Sequence, residues 1–314
     1  MICISKNTAI DCTMSPSAHL NDRVFPNHLP VNSIQDELLM DKHIRVDMLR
    51  LDLLHPQVSG NKWYKLKYNI EAANKLEAKS ILSFGGAYSN HLHALAYAGH
   101  LLGINTIGML RGEESSNPTL DDCRRWGMSL HFMSRDQYRQ KNETDFLSAM
   151  QEKFPEAYIV PEGGNNEAGR KGTREILDGI DLTAYTHIAC AVGTGATLAG
   201  IANSSLPHQH VLGFSALKNA HYLEETIREY TAAENWTLLH DTHFGGFAKK
   251  NTELLEMIVS FKQKHRIELD FIYTAKMVYG LYQMIHSGAI AACSSVLLIH
   301  TGGIQGNRSW QAER

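Results

Sequence analysis

The stretch Ser80-Ile81-Leu82-Ser83-Phe84 is followed directly by Gly85-Gly86-Ala87-Tyr88-Ser89-Asn90, and these residues decide the fold. The first segment is an apolar run with the length of a buried strand, and the glycine-rich segment after it is typical of a turn into a helix. Before this stretch, Leu66, Ile70 and Ala73 recur at the four- and three-residue spacing of one helix face. The chain therefore alternates here between helix and strand patterns.

The same alternation continues along the chain. Predicted strands lie at 44–54, 106–110, 130–133, 158–160, 187–192, 211–214, 237–240 and 296–300, and predicted helices at 62–76, 120–126, 144–154, 174–182, 254–264 and 276–286, with two more starting near 90 and 198. Repeated strand, loop, helix order implies parallel strands joined by crossover helices. We therefore predict an α/β fold, in which ligands bind in loops beyond the carboxyl ends of strands.

The composition is that of an ordinary globular protein. Hydrophobic residues make up 43% and charged residues 20% of the 314 residues, which argues against a disordered or fibrous chain. The net charge of -3, with both signs mixed along the chain, provides no basic surface for nucleic acid. The apolar runs are too short to cross a bilayer, and the first residues lack a signal-peptide pattern. We expect a cytoplasmic protein without a nucleic-acid or membrane partner.

Cysteine and histidine residues do not form ligand patterns in the sequence. The five cysteines are odd in number and widely spread, which fits neither a disulfide framework nor a zinc site. Among 17 histidines the closest groupings are His91/His93 and His208/His210, and neither has an acidic or cysteine partner at ligand spacing. We therefore expect no metal site.

A glycine-rich loop, Gly193-Thr194-Gly195-Ala196-Thr197, joins an apolar strand to the start of a helix. Glycine lets the backbone approach a ligand closely, and free amides at a helix N-terminus bind phosphate. The loop lacks both the Gly-Lys-Ser/Thr ending of a nucleotide P-loop and the glycine spacing of a Rossmann fingerprint. From these residues alone two interpretations stay open, a phosphate cradle and a tight turn without a ligand.

Lys62 follows Ser59-Gly60-Asn61 and opens a predicted helix, whose polar side carries Lys65. The positive end of the helix dipole is unfavourable for an ammonium, whereas a neutral amine or an imine pays no such penalty. A solvated lysine is the ordinary alternative. Ser89 and Tyr273 also have ordinary interpretations, as a helix cap and as a core aromatic residue.

Taken together, the motifs resemble the pyridoxal-phosphate enzymes of the tryptophan synthase β type (fold type II), and most of all the branch of 1-aminocyclopropane-1-carboxylate deaminase and D-cysteine desulfhydrase. Five motifs carry the resemblance in order, namely Ser-Gly-Asn-Lys at 59–62, Gly-Gly-Ala-Tyr-Ser-Asn-His at 85–91, Gly-Thr-Gly-Ala-Thr at 193–197, Tyr-Thr at 273–274 and His-Thr-Gly-Gly at 300–303.

The resemblance implies two domains, each with a mainly parallel sheet flanked by helices. A discontinuous large domain of residues 1–64 and 167–314 would bind the cofactor, and residues 65–166 would form a small inserted domain. The resemblance also implies a homodimer and a small amino acid as substrate.

The resemblance further implies roles for individual residues. Lys62 would carry pyridoxal 5'-phosphate as an imine, Asn90 would bond the ring hydroxyl, residues 193–197 would hold the phosphate, and Thr301 would lie near the pyridine nitrogen. The implied catalytic residues are Lys62, Ser89 and Tyr273; the implied cofactor-binding residues are Lys62, Asn90, Gly193, Thr194, Gly195, Ala196, Thr197 and Thr301; the implied substrate-binding residues are Ser89, Asn90, His91, Tyr273 and Thr274.

One position distinguishes the two activities of this branch. The deaminase has Tyr-Glu where this chain has Tyr273-Thr274, and a carboxylate there makes the cofactor ring a stronger electron sink than a threonine hydroxyl does. We therefore predict a lyase with D-cysteine desulfhydrase-like β-elimination to a keto acid and ammonia. The alternatives are 1-aminocyclopropane-1-carboxylate deaminase, an amino-acid racemase and a non-catalytic pyridoxal-phosphate binding protein.

The sequence departs from the family pattern at two residue pairs. Trp63-Tyr64 follows the lysine where a small or basic pair is usual, and Leu92-His93 replaces the usual Thr-Arg. We expect these side chains to border the substrate space, which leaves the identity of the amino acid open. No role is assigned to the polar segment from Gly303 onwards.

Overall fold

The structure of the chain, a computed structural model, describes Pro26 and residues 28–311. The described residues form strands β1 (Val31–Ile34), β2 (Arg45–Leu49), β3 (Ser80–Gly85), β4 (Asn105–Arg111), β5 (Ser129–Met133), β6 (Ala157–Val160), β7 (His187–Val192), β8 (His210–Ser215), β9 (Trp236–Leu239) and β10 (Ser295–Ile299).

Helices alternate with most of these strands. The α-helices are α1 (Glu37–Asp41), α2 (Asn61–Lys75), α3 (Asn90–Leu102), α4 (Pro118–Arg125), α5 (Arg135–Arg139), α6 (Thr144–Lys153), α7 (Glu167–Thr173), α8 (Ala196–Ser204), α9 (Tyr222–Tyr230), α10 (Thr252–His265), α11 (Thr274–His286) and α12 (Arg308–Gln311). Short 3-10 helices cover Leu51–Leu53, Glu162–Gly164, Arg174–Leu177 and Ile304–Asn307. Within the described part of the chain, none of the helices has both the length and the apolar character to cross a membrane.

The strands form two sheets. The six-stranded sheet has the order β1-β2-β10-β7-β8-β9 and is parallel except for β1, which pairs with β2 in the antiparallel sense. The four-stranded sheet has the order β5-β4-β3-β6 and is parallel throughout. The predicted α/β class with mainly parallel sheets is confirmed.

Strand β10 lies in the middle of the six-stranded sheet, between β2 and β7. Because these three strands are parallel, their carboxyl ends share one edge of the sheet. The residues that follow them there are 50–60 after β2, 193–195 after β7 and 300–303 after β10. The order of the strands thus brings together three loops that are far apart in sequence.

Both faces of β10 are buried, which explains its continuous apolar sequence. Val296 and Leu298 belong to a hydrophobic cluster with residues of α10 and α11, whereas Leu297 and Ile299 belong to a second cluster with residues of α8. Alternate side chains of a strand point to opposite faces, so helices cover the sheet on both sides.

Helix α2 follows the loop after β2 and packs against α7, since a Cβ atom at Gly172 of α7 would overlap the carbonyl oxygen of Tyr64. The four-stranded sheet lies between these two helices in sequence. The predicted division at residues 64/65 and 166/167 therefore falls within or next to packed helices, and it stays a prediction.

Several local predictions were wrong. The helix expected at 174–182 is α7 at Glu167–Thr173, followed by a 3-10 turn, and the strand pattern at 44–54 contains β2 and a second 3-10 turn. Strand β1 and the short helices α1, α5 and α9 were not predicted. Residues 304–311 form two short helices, and Trp310 is only 6% exposed.

Candidate active site

The loops after β2, β7 and β10 contact one another through hydrogen bonds. The side-chain amide of Asn61 donates to the hydroxyl of Thr197 over 2.8 Å, which joins the 59–62 motif to the 193–197 loop. The backbone N–H of Asn61 donates to the carbonyl of Thr301 over 3.3 Å. Three of the five sequence motifs therefore form one continuous structure at the carboxyl edge of the six-stranded sheet.

Lys62 is the second residue of α2, and its Nζ donates to Oδ1 of Asn61 over 2.9 Å. Burial lowers the pKa of Lys62 to about 8, although the nearby carboxylate of Asp270 opposes this shift. At pH 7.5 an amine with this pKa is about one-quarter neutral, compared with about one-thousandth for an ordinary lysine. Because only the neutral amine attacks an aldehyde, Lys62 is suited to form an imine.

The 193–197 loop presents backbone amides at the start of α8. Gly195 is the N-cap residue with φ +84°, and no side chain caps the helix. The first N–H groups of a helix have no intrahelical partner, and the helix dipole favours an anion next to them. This uncapped, glycine-opened terminus beside a partly neutral lysine fits the phosphate and aldehyde of pyridoxal phosphate.

Lys65 lies beside this loop and was not predicted as a site residue. Its Nζ is 3.4 Å from the hydroxyl of Thr194, and the residue is only 4% exposed. Burial, and then the charge of Lys62, lowers the pKa of Lys65 well below its usual value. Lys65 lies three residues after Lys62 and is therefore its neighbour on the helix. This spacing could have indicated a site residue, but Lys65 was assigned to the polar side of the helix.

The Ser89-Asn90 junction contributes from the start of α3. The hydroxyl oxygen of Ser89 accepts a hydrogen bond from the backbone N–H of Leu92 over 3.2 Å, so its capping role is confirmed. Asn90 is buried, and its Oδ1 accepts from Nε2 of Gln305 over 2.9 Å. A Cβ atom at Gly303 would lie 2.6 Å from Nδ2 of Asn90. The 85–91 motif therefore contacts the segment that follows β10. Gln305 is a neighbour that the sequence did not reveal.

His91 is buried behind these residues with a defined tautomer. Its Nε2 is 2.9 Å from the hydroxyl oxygen of Ser83, and that hydroxyl donates to the carbonyl of Val160 over 2.8 Å. Ser83 must therefore accept from Nε2–H, which leaves Nδ1 as an acceptor without a partner among the described residues. Burial and the charges of Lys62 and Lys65 lower the pKa of His91 to about 3, so the ring is neutral.

Tyr273 belongs to the 273–274 motif and lies beside the 193–197 loop. A Cβ atom at Gly193 would lie 3.1 Å from the ring of Tyr273, so the phenol lies against the 193–197 loop. Burial raises the pKa of Tyr273, and the carboxylates of Asp270 and Glu162 raise it further. The phenol is therefore protonated at neutral pH and can donate a hydrogen bond. The ring of Phe247 packs edge-on against it, with 6.1 Å between the centroids.

Thr274 is fully buried and bonded to Asp270. Its hydroxyl donates to Oδ1 of Asp270 over 2.7 Å, and its oxygen accepts from the backbone N–H of Asp270 over 2.8 Å. These bonds occupy the donor of the hydroxyl and one of its two acceptor positions. The role of Thr274 in substrate binding stays a prediction.

The two residue pairs that depart from the family pattern are mostly buried. Trp63 is 2% exposed and Leu92 is 1% exposed, and both belong to the hydrophobic cluster between α2, α3 and the four-stranded sheet. Nε2 of His93, also buried, is 3.3 Å from a carboxylate oxygen of Asp122. The expectation that these side chains border the substrate space stays a prediction.

Comparison with known proteins identifies the family. Residues 42–302 match the family model described as pyridoxal-phosphate dependent enzyme. The chain belongs to the pyridoxal-phosphate dependent enzymes. The matched range contains the first four sequence motifs and all of the fifth except Gly303. The predicted family and its cofactor, pyridoxal 5'-phosphate, are thereby confirmed, whereas the assignment of single residues to that cofactor stays a prediction.

Relatives of this pyridoxal-phosphate enzyme cover most of its length. A protein of Thermotoga maritima named putative 1-aminocyclopropane-1-carboxylate deaminase is 34% identical over 82% of this chain and 88% of its own. The mitochondrial bifunctional D-cysteine desulfhydrase/1-aminocyclopropane-1-carboxylate deaminase of Arabidopsis thaliana is 27% identical over 82% of this chain and 72% of its own. A solved structure of an ACC deaminase homologue has a TM-score of 0.82 at 22% identity, covers 95% of this chain and 98% of its own, and supports the fold.

Replacing Lys65 of this pyridoxal-phosphate enzyme with methionine is expected to weaken cofactor binding about 10- to 100-fold. The change removes a buried amine beside Thr194 and keeps most of the side-chain volume. A hydrogen bond to a charged group contributes about 1.5–3 kcal/mol. The dissociation constant is measured by titrating the apoenzyme with pyridoxal phosphate and following its visible absorption. Lys75→Met, an exposed change in the same helix, is the control, and equal affinities of the two variants would exclude a cofactor contact of Lys65.

Proposed function

We propose that this enzyme is a lyase that eliminates the β substituent of a small amino acid in the manner of a D-cysteine desulfhydrase. With D-cysteine the balanced reaction is D-cysteine plus water to pyruvate, ammonia and hydrogen sulfide. The bond from Cα to hydrogen and the bond from Cβ to sulfur break. Water then replaces the amino group on the released enamine product.

The observation that carries this proposal is the hydrogen bonding of Asp270. Its Oδ1 accepts from the backbone N–H and the hydroxyl of Thr274, and its Oδ2 accepts from the backbone N–H groups of Ile272 and Tyr273. Two carboxylate oxygens offer about four acceptor positions, so this carboxylate is saturated. It is therefore not free to hold a proton on the pyridine nitrogen.

A cofactor ring without a carboxylate partner is a weaker electron sink. Opening a cyclopropane requires a strong sink, whereas expulsion of a good leaving group such as sulfide requires less. Thr301, the residue proposed to lie near the pyridine nitrogen, can offer only a hydroxyl from its side chain. Position 274 also carries a threonine, whose hydroxyl is occupied by Asp270. Both positions favour elimination over ring opening.

When bound, pyridoxal phosphate supplies an aldehyde for the amino group and a ring that accepts an electron pair from Cα. The amides of residues 193–197 and the amine of Lys65 hold the phosphate and fix the orientation of the ring. Lys62 would hold the aldehyde of the cofactor, and its neutral Nζ would take the proton from Cα. Asn90 bonds the ring hydroxyl through its side-chain amide.

Three further side chains act on the substrate in this proposal. Ser89 donates a hydrogen bond from its hydroxyl to the substrate carboxylate, while its oxygen caps α3. The neutral ring of His91 presents Nδ1 as an acceptor near the two lysines. The phenol of Tyr273 can donate a hydrogen bond to the leaving group, because its raised pKa keeps it protonated at neutral pH.

The deaminase reaction is the second candidate, because the relative in Thermotoga maritima is named putative 1-aminocyclopropane-1-carboxylate deaminase. This reaction opens the cyclopropane ring and yields 2-oxobutyrate and ammonia. A racemase would invert Cα without releasing either keto acid. A non-catalytic pyridoxal-phosphate protein would bind the cofactor and show no spectral response to amino acids.

A substrate panel tests these possibilities together. The holoenzyme is incubated with D- and L-cysteine, D- and L-serine, β-chloro-D-alanine and 1-aminocyclopropane-1-carboxylate. We expect pyruvate with sulfide from D-cysteine and pyruvate with chloride from β-chloro-D-alanine. Release of 2-oxobutyrate alone, inversion alone or an unresponsive spectrum would each reject the proposal in favour of the corresponding alternative.

Lys62→Ala serves as the control for the panel. Free pyridoxal phosphate slowly catalyses the same eliminations in solution, so product formed by this variant measures the background.

We further propose that the protein is a cytoplasmic homodimer and that residues 65–166 form a small domain inserted into the large one. The family resemblance of the five motifs supports the homodimer and the inserted domain. Sedimentation equilibrium of the holoenzyme measures the oligomeric state directly.

A further inference from the structure

A cluster of two histidines and one glutamate lies outside the candidate active site. His221 directly precedes α9, and Glu224 lies three residues later in the first turn of that helix. His240 follows the last residue of β9. The cluster therefore joins a helix start and a strand end, at the same edge of the six-stranded sheet as the loops of the candidate site.

The ligand atoms of these three side chains converge. One donor atom from each lies within 4.8 Å of the others. Nε2 of His240 is 3.0 Å from Oε1 of Glu224, and the rings of His221 and His240 face each other with 4.1 Å between centroids. Ligand atoms around a tetrahedral zinc ion are about 3.3 Å apart. Small side-chain rotations would therefore bring all three groups to bonding distance of one ion.

A hydrogen bond between Glu224 and His240 does not by itself explain the arrangement. It satisfies one nitrogen of His240, whereas Nδ1 is buried and has no partner within the described part of the chain. The bond also gives no reason for His221 to lie over the ring of His240. One imidazole bonded to a carboxylate, with the second imidazole against its ring, brings together three donor groups that a shared cation could bind.

The donor set selects the kind of ion. Two neutral imidazoles and one carboxylate suit zinc, whereas calcium and magnesium prefer sites made of oxygen atoms. Arg228 is 3.5 Å from the other carboxylate oxygen, Oε2 of Glu224, so Oε1 stays directed to the histidines. Three protein ligands leave a fourth position for water.

We propose that His221, Glu224 and His240 form a zinc(II) site that joins the end of β9 to the start of α9. The proposal differs from the expectation of no metal site, because these three ligands do not all stand at short spacing in the sequence. Sixteen residues separate Glu224 from His240 in sequence. Only the pairing of β9 beside β8 brings them together.

Equilibrium dialysis of the chelator-treated holoenzyme against zinc chloride, with metal measured by mass spectrometry, tests the site. We expect one zinc ion per chain, and a binding constant at least about tenfold weaker in His221→Ala, Glu224→Gln and His240→Ala. His208→Ala is the matched control, because His208 is an exposed histidine that precedes β8. This control should bind zinc like the unchanged protein.

Cobalt(II) provides a second measurement on the same proteins. Tetrahedral coordination by nitrogen and oxygen gives visible ligand-field bands, which should appear in the unchanged protein and in His208→Ala and be lost in the three ligand variants. The cofactor absorption of each variant reports whether it is folded. No zinc bound to the unchanged protein, or equal binding by the folded ligand variants, would overturn the proposal.

Discussion

Lys62→Ala is expected to lower turnover of the best amino-acid substrate about 10³-fold or more. The amine is proposed both to attach the cofactor and to take the proton from Cα, and acid–base catalysis alone contributes about 10²- to 10⁴-fold. Its pKa of about 8 supplies the neutral amine that both roles need. Initial rates of keto-acid release at saturating cofactor measure the loss.

Borohydride trapping locates the attachment site independently of turnover. Reduction fixes the cofactor to the lysine that carries it, and peptide mapping should find it at Lys62. Lys65 is the alternative attachment site for the cofactor, because its amine is also buried and has a lowered pKa. Label at Lys65, or full activity in Lys62→Ala, would contradict the assignment. Lys75→Ala, an exposed change at the end of α2, should be labelled and active like the unchanged enzyme.

Gly60→Ala is expected to destabilise the holoenzyme by about 3 kcal/mol or more. Gly60 has φ +68° and ψ -149°, a conformation that essentially only glycine adopts, which costs other residues about 1–3 kcal/mol. A Cβ atom there would also overlap the carbonyl oxygen of Thr301, and overpacking costs about 1–3 kcal/mol more. The midpoint of urea unfolding, followed by the visible absorption of the cofactor, measures the effect.

Gly103→Ala separates the two causes. Gly103 has φ +67° and ψ +25° after α3, and a Cβ atom there would have no neighbour within 4 Å. This variant should lose only about 1 kcal/mol, because it carries strain without a clash. Equal losses in both variants would show that contact between Gly60 and Thr301 does not hold the loops together.

The fold was predictable because its strands and longer helices have clear periods. Strand β10 is a continuous apolar run, and α2 repeats its apolar residues every three or four positions. The helix α9 was missed because only Leu223 and Ile227 are buried along its nine residues. Two apolar positions cannot reveal a period.

Close packing explains the misplaced helix near residue 170. Helix α7 contains Gly169 and Gly172, which lower helix propensity, and the helix was predicted only from residue 174 onwards. Side chains at these positions would overlap the carbonyl oxygens of Gly164 and Tyr64. Gly172 is required by Tyr64, which is distant in sequence, and single-residue propensity does not contain that information.

The candidate site could also be predicted only where its residues form local patterns. Motifs that follow strands, such as residues 193–197, could be found because glycine and helix-start patterns are local. Asp270 was missed as a site residue because its importance arises from four hydrogen bonds and its charge near Lys62. Gln305 was missed because its partner Asn90 lies 215 residues away in sequence.

The position of β10 also determines when the protein can become active during its synthesis. This strand is the last of the described ten to leave the ribosome, yet it separates β2 from β7 in the sheet. Until residues 295–299 appear, both of those strands have an unpaired edge that can associate wrongly. The loop at 300–303 emerges later still. Capture of the cofactor must therefore wait until nearly the whole described chain has been translated.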